Sequence, residues 1–380
     1  MEVARLKTHA RNLVKIAIEP FGLEHEHAAS AFNRRMRNAR APGAFLLPEQ
    51  ARPPIRSGSA SVTHYVAVDE SHEVRGGVIC QEHPAVIGGS KERVINIQAP
   101  LSEGIIDPAY TFVGPLLIKH VLRQTPHAFI VGMGHVANPL PRLLKAMGWT
   151  IRVVPFFFRM LRASSCLRHL SPFRVSRIKR LMAETAAMTG VAALGARLIH
   201  RPSNESEQSA SQFQIEPIHR WCGWADAAWD TFAPALSFGV QRTHEVLPFF
   251  YPLDSRSPGV WGLKRDGIIE GWFGMVITPM SNNEYFGSLV VATLTDCLGT
   301  PNAVRAGMVL AIQEARAQGA DLLITNQQHR FMQESCAAAG WREGPSNFLM
   351  ATSPKLSETF EPETAYVTRR DGDGLVNLVP

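Results

Sequence analysis

The segment Gln98-Ala-Pro-Leu-Ser102-Glu103-Gly104 sets a carboxylate between a hydroxyl and a glycine. A carboxylate on a polar loop can take the proton from an attacking amine, directly or through water, so Glu103 is a candidate general base. The plain alternative is that Glu103 steadies its own loop or the next helix. Val131-Gly132-Met133-Gly134-His135 puts an imidazole, the side chain most easily poised near neutral pH, behind two glycines at the end of an apolar run. Those glycines also read as a turn, with Asn138 as the cap of the following helix. Tyr110 can donate a proton or simply pack. Arg75, ahead of Gly76-Gly77, and Arg34 and Arg37, within Phe32-Asn33-Arg34-Arg35-Met36-Arg37, can meet an anionic group or form a solvated face. Asp296, Cys297 and Asn326 hold comparable places later in the chain; Cys297 has no base beside it in sequence and reads as a buried thiol. Trp221, Trp224 and Trp229 could stack a sugar or nucleobase, although their helical spacing favours packing.

The five cysteines of the 380 residues are far apart and form no CxxC, so neither a disulfide framework nor a zinc knuckle is expected, and no metal. With 45% hydrophobic and 19% charged residues the composition is globular, and 29 Gly with 26 Pro argue against a helical bundle. The opening stretch is too interrupted for a signal peptide, and Leu181–Ile199, which carries Glu184 and Arg197, is a poor membrane span. A reducing, cytoplasmic setting is the expectation.

The elements that must position these residues come twice. Ile18-Glu19-Pro20 returns as Ile215-Glu216-Pro217, and Phe45-Leu46-Leu47-Pro48 has a rough echo in Glu245-Val246-Leu247-Pro248. Asp107-Pro108 and Thr300-Pro301 each open an apolar helix with a capping side chain and a proline at the first position. Each helix leads to a short apolar strand, His127–Val131 and Ala320–Ile324, and then to a helix ending Ala146-Met-Gly-Trp149 or Ala338-Ala-Gly-Trp341. Anchors in the same order at nearly constant separation indicate a duplicated domain. Strands are expected at His64–Asp69, Val74–Gln81, Arg93–Ala99 and Thr150–Arg159, with partners at Gly259–Lys264, Ile268–Pro279, Ser288–Thr295 and Asn347–Thr352. The fold class is α/β (α+β): two tandem domains, each a mixed, mainly antiparallel sheet flanked by helices. The boundaries fall at 1–160, a basic helical linker at 161–210, a diverged second copy at 211–356 and a tail at 357–380.

This order of elements, with a Gly-aromatic pair closing the last helix before a final strand, resembles the GNAT acyltransferase superfamily, and tandem GNAT copies occur among the related FemAB-like transferases. The resemblance implies a cleft where two strands splay apart to hold acyl-coenzyme A, acetyl-coenzyme A being the first choice. Gln98 and Ala99 would pair with the pantetheine arm, and backbone amides of Val113, Gly114, Pro115 and Leu116 would meet the pyrophosphate at a helix N-terminus. Asn138 joins that cofactor-binding set. Glu103 would be the base, His135 or Tyr110 the acid, and Arg34, Arg37, Arg75 and Ser102 would face the acceptor. The first copy is expected to be the active one. The implied reaction is acyl transfer to an amine or hydroxyl of a small molecule or glycan precursor, in a setting such as exopolysaccharide assembly. A FemAB-like aminoacyl-tRNA-dependent transferase and a non-catalytic tandem module remain alternatives.

The net charge of +6 is local. Nine Lys or Arg against one acid lie between Arg159 and Arg201, whereas the rest of the chain has 30 basic and 32 acidic residues. Three readings stand: a solvated interdomain helix, peripheral contact with anionic lipid through 159–201, and a grip on tRNA, the last required only by the FemAB-like alternative.

Overall fold

The computed structural model describes residues 15–39, 46–51, 55–170, 200–253 and 259–372. They fall into two compact units, and the chain crosses between them several times: 1–55, 62–81 and 97–124 belong to one, 56–61, 82–96 and 125–380 to the other.

The first unit holds β1 (Ile16–Pro20), α1 (Glu26–Asn38), the start of β2 (Ile55–Ser57), most of β3 (Ala60–Asp69), the first part of β4 (Val74–Ile87), the last part of β5 (Ser90–Ser102) and α2 (Val113–Gln124). The strands lie in the order β1-β3-β4-β5, with β1 antiparallel to β3. α1 turns Phe32 and Met36, one helical turn apart, onto Leu47, Val66, Val68, Val74 and Leu101. Asn33 is buried among them because its amide closes a two-way bond with the backbone of Leu47, at 2.9 and 3.0 Å. The helix expected from Asp107-Pro108 starts later. Asp107 caps only a 3-10 turn, Pro108–Tyr110, and α2 begins at Val113. A helix running from Pro108 would drive the Pro115 ring into the carbonyl of Thr111; starting at Val113 leaves Pro115 in the first turn, where no N–H is needed.

The second unit continues with β6 (Ala128–Val131), α3 (Pro139–Ala146), β7 (Thr150–Val153), β8 (Phe156–Met160), α4 (Ala163–His169), α5 (Asn204–Ser211), β9 (Gln214–Pro217), α6 (Gly223–Phe232), β10 (Phe238–Val240) and α7 (Leu247–Phe250). After these come β11 (Gly259–Arg265), β12 (Ile268–Pro279), β13 (Val290–Gly299), α8 (Pro301–Ala317), β14 (Leu322–Asn326), α9 (Arg330–Ala338), β15 (Arg342–Gly344), β16 (Leu349–Thr352), α10 (Pro354–Ser357) and β17 (Ala365–Tyr366). Its seven-stranded sheet runs β15-β8-β14-β13-β12-β11-β9, antiparallel except for β13 with β14. α8 opens as its sequence predicts, Thr300 accepting from the Ala303 N–H at 3.3 Å ahead of Pro301.

The two copies exchange their final strands. β8 lies between β14 and β15, and β16 lies between β6 and β7. The single closing strand expected over Thr150–Arg159 is therefore two strands. Pro155 cannot donate to a ladder, and the chain leaves one sheet there and joins the other. The exchange buries apolar surface: Phe156, Phe158 and Met160 of β8 pack on Val291, Leu322 and Ile324. Most of the segment expected as the basic linker, 171–199, lies outside the described residues; the parts on either side form α4 and α5.

Candidate active site

In the first unit, β5 carries an irregularity at Ala99, whose φ of 43° puts a non-glycine residue in the left-handed region within an otherwise continuous strand. Such strain persists only where the surroundings impose it. Next to Ala99, Gln98 accepts from Gln81 Nε2 at 3.0 Å, while its own Nε2 is buried with no hydrogen-bond partner among the described residues. A buried amide N–H without an acceptor is costly and rare. Gly76 lets this part of the sheet close up, since a Cβ there would sit 2.5 Å from the Leu101 carbonyl oxygen and 2.9 Å from Val113 Cγ1.

The four residues expected to meet an anion divide at the helix start. Val113 and Gly114 are the buried first residues of α2. Pro115 has no N–H, and the Leu116 N–H donates to the Phe112 carbonyl at 3.1 Å. The helix N-terminus offered to a ligand is thus narrower than the sequence implied.

Glu103 follows Ser102, whose Oγ accepts from the Gly104 N–H at 3.1 Å and donates to the Tyr110 carbonyl at 3.3 Å. The Glu103 carboxylate is buried between two guanidinium groups. Arg35 reaches it with Nε at 2.7 Å and Nη2 at 3.1 Å, and Arg75 reaches it with Nη1 at 3.1 Å. Arg35 also bonds Glu73 at 2.9 Å and the Val74 carbonyl at 2.6 Å, and Arg75 bonds Asp69 at 2.7 Å. Burial alone would lift the Asp69 pKa, yet the Arg75 bond and the Glu73 and Ser71 N–H groups hold it below its ordinary value. Tyr110 lies under the Arg75 guanidinium, 4.5 Å from ring centroid to Cζ. Its burial and the carboxylates nearby raise the phenol pKa against the opposing pull of Arg75, so the group stays protonated through neutral pH. Arg75, open to reading as a solvated residue, is therefore a structural partner of Glu103. Both Glu103 oxygens are already filled with donors, an arrangement that suits holding cations better than taking a proton.

Arg34 and Arg37 do not join this cluster. Arg34 is exposed, and Arg37 lies on the surface with Glu49 at 3.4 Å. The residue that reaches Glu103 is Arg35 between them, which the sequence reading passed over. His135 and Asn138 belong to the other unit. His135 is exposed, and its Nδ1 accepts from the Ala137 N–H at 3.2 Å. Asn138 stands at the N-cap of α3 but makes no cap bond; its side chain donates to the Met133 carbonyl at 3.2 Å and ties the glycine loop shut.

The second copy has the matching strand geometry with a different content. β13 and β14 pair from Val291 to Thr293, and β13 is bulged between Leu294 and Asp296. Beyond that point both strands bond to the chain's own C-terminal residues. Gln327 bridges Thr368, the Gln328 N–H donates to Val367 O at 3.0 Å, and Tyr366 OH donates to Cys297 O at 2.9 Å and to Asp296. Arg369 donates to Asn326 at 3.0 Å. Asp296 also pairs with the fully buried Arg242 at 2.7 Å, and Arg242 with Asp371 at 2.8 Å. Burial raises the Cys297 thiol pKa far above its ordinary value, as expected of an inert buried thiol. The tryptophans pack: Trp221 lies against Trp224 and Trp272, with Nε1 bonded to the Tyr251 carbonyl at 3.0 Å.

Among the described residues no group of three or more His, Cys, Asp or Glu could hold a metal, and no helix is long and apolar enough to cross a membrane. No protein-family model matches the chain, and no curated protein matches it. Solved structures do. A GCN5-related N-acetyltransferase from Anabaena variabilis matches over 89% of this chain and 72% of its own, at 10% identity and a TM-score of 0.51. The GCN5-related glucosamine N-acetyltransferase region of a fungal multi-domain GH3 β-N-acetylglucosaminidase matches over 89% of this chain at 10% identity and a TM-score of 0.50. This chain spans 38% of that fungal protein. With the duplicated order of elements and the exchanged final strands, the likeness establishes that the chain has the GNAT fold in two successive copies.

Proposed function

We propose that the first copy is an acyltransferase that moves an acyl group, acetyl being the first choice, from acyl-coenzyme A to an amine or hydroxyl of a small molecule or glycan precursor. The observation that carries this reading is the left-handed Ala99 in β5 beside the Gln98 amide, which has no acceptor among the described residues. A kinked strand and a buried donor without an acceptor among the described residues suit an extended ligand rich in amide carbonyls. Gln98 would donate to such a carbonyl, and the Val113 and Gly114 amides at the start of α2 would face the donor's phosphates.

The transfer forms a bond from the acceptor nitrogen or oxygen to the acyl carbon and breaks the carbon–sulfur bond. Tyr110, kept protonated, supplies a proton to the departing sulfur, and the proton lost by the acceptor passes to water. Glu103 holds Arg35 and Arg75 in place, so their charge is set before substrate arrives.

Calorimetric titration with acetyl-coenzyme A tests the reading. Wild-type protein is expected to bind one equivalent, Gln98→Leu and Gly114→Trp to bind at least ten-fold more weakly, and Asn302→Trp, at the exposed start of α8, to bind normally. Absence of binding to the wild type, or binding lost only in Asn302→Trp, would overturn it.

A further inference from the structure

A second cleft lies within the unit that holds the seven-stranded sheet. It measures about 530 Å3 and is lined by α5, the later turns of α8, β8 and Ala339. Val309, Leu310, Ile312, Gln313 and Arg316 face it, whereas the start of α8 is at Pro301; at 1.5 Å per residue, Ile312 is roughly 16 Å along the axis from there. It is thus separate from the start of α8, the counterpart of the α2 start proposed above to face the donor.

The floor of this cleft carries a guanidinium to which no carboxylate is bonded among the described residues. Arg159 on β8 is 7% exposed, and its Nη1 donates to the Ala339 carbonyl at 2.7 Å. Its Nε has no partner among the described residues. Buried guanidinium groups are ordinarily matched by a carboxylate, because one carbonyl does not offset the loss of water around a full charge. Burial, together with the positive Arg316 nearby, pushes the Arg159 pKa down to about 10, and Glu207 opposes this only partly. Phe213, Leu310 and Ile312 make the buried wall apolar, while Arg316, Gln313 and Glu207 stand at the exposed rim.

We propose that this cleft binds a small monocarboxylate with an apolar body, its carboxylate seated on Arg159 and Arg316 and its hydrocarbon against Phe213, Leu310 and Ile312. A guanidinium matches a planar carboxylate with two parallel donors. The apolar wall selects a ligand with hydrocarbon over a bare anion, and Glu207 disfavours a highly charged one. A volume of this size suits a molecule of about ten heavy atoms with room to spare.

The test uses the full-length chain and octanoate as probe, followed by calorimetry and by thermal shift. Wild-type protein is expected to bind octanoate, and to bind inorganic phosphate and octylamine at least ten-fold more weakly. Arg316→Glu, a change at an exposed position that leaves the fold intact, is expected to weaken octanoate at least ten-fold. Arg159→Leu is expected to abolish binding without lowering the melting temperature, since it removes a buried charge that has no carboxylate partner among the described residues. Equal binding by wild type and Arg316→Glu would overturn the proposal. So would octylamine or phosphate binding as tightly as octanoate, which would mark a general apolar or a general anion site. Acetyl-coenzyme A titrated into the same variants is expected to behave as in wild type, so failure here is distinguishable from failure of the acyl-transfer reading.

Discussion

At the scale of single residues, the first unit's site turns on which arginine meets Glu103. The buried stripe of α1 runs through Ala29, Phe32, Asn33 and Met36, so Arg35 and Arg37 flank it on opposite sides and Arg34 points away. Sequence alone gives both flanks the same standing; the choice of Arg35 depends on where tertiary packing brings Glu73 and Glu103. Glu103 itself was legible as a carboxylate on a site loop, but its partners were not. Because Glu103 is a buried hub, Glu103→Gln leaves Arg35 and Arg75 poorly matched and is expected to lower stability by roughly 2–4 kcal/mol. Denaturant melts of that variant check the figure, and acyl transfer should fall even at temperatures where it remains folded. A different kind of burial affects His83. Its ring lies between Phe249 and Phe250, and neither nitrogen has a hydrogen-bond partner among the described residues. Burial, with Arg242 and Arg93 adding to it, lowers its pKa to about 3. The unfolded chain takes a proton below about pH 6.5 that the folded chain refuses until about pH 3. Stability is therefore complete above pH 6.5 and falls as the pH drops, by roughly 2 kcal/mol between pH 6.5 and 5 for this group. His83→Phe is expected to be at least as stable as wild type at pH 7 and clearly more stable at pH 5, as read by urea midpoints at the two values.

At the scale of elements, the apolar runs and the Pro and Gly punctuation located the longer strands and helices of both copies, but not the short β2, β10, β15 and β17 or the one-turn α7 and α10. The misses have identifiable causes. Pro115 delays α2, and a two-glycine turn at Gly88 and Gly89, with φ of 56° and 79°, lets β4 and β5 extend beyond their expected ends. The strand exchange was not legible, because β8 and β16 are short apolar strands that either sheet can accept. The left-handed conformation of Ala99 was also hidden, since alanine carries no sequence signal for it. That strain predicts opposite outcomes for two small changes. Ala99→Gly is expected to be neutral or stabilising by up to about 1 kcal/mol, because glycine adopts this φ without steric cost. Ala99→Val, β-branched at the same φ, is expected to be destabilising by about 1–2 kcal/mol and to weaken acetyl-coenzyme A binding. Equal melting temperatures for the two variants would show that the strand is regular there.

At the scale of the whole molecule, the duplication was readable from Ile-Glu-Pro and Gly-Trp anchors, yet the copies differ in what their strands bond to. In the second copy, residues 366–369 engage β13 and the end of β14 where a ligand would need to lie, and Arg242 ties Asp296 to Asp371 behind them. The sequence singled out Asp296, Cys297 and Asn326, but it set the first two beyond a strand ending at Thr295, whereas both lie within β13, and it could not show that a segment some seventy residues beyond Asp296 would bond to them. Two buried carboxylates depend on Arg242, so Arg242→Met is expected to lower stability by about 3–5 kcal/mol. Tyr366→Phe is gentler, because it removes one hydroxyl and leaves the ion pairs. Hydrogen exchange on that variant should speed up at the Gln328 N–H, which bonds Val367, and stay slow at Ile324 within β14. If this segment is what denies the second copy a ligand, one chain takes one acetyl-coenzyme A, and loosening the segment is the way to create a second site. Titration of Tyr366→Phe separates the possibilities. A stoichiometry that rises toward two would make the segment a stopper over a competent cleft. A stoichiometry still at one, with faster exchange at Gln328, would mean that the second copy's strands have been remodelled around their own chain and serve the fold alone.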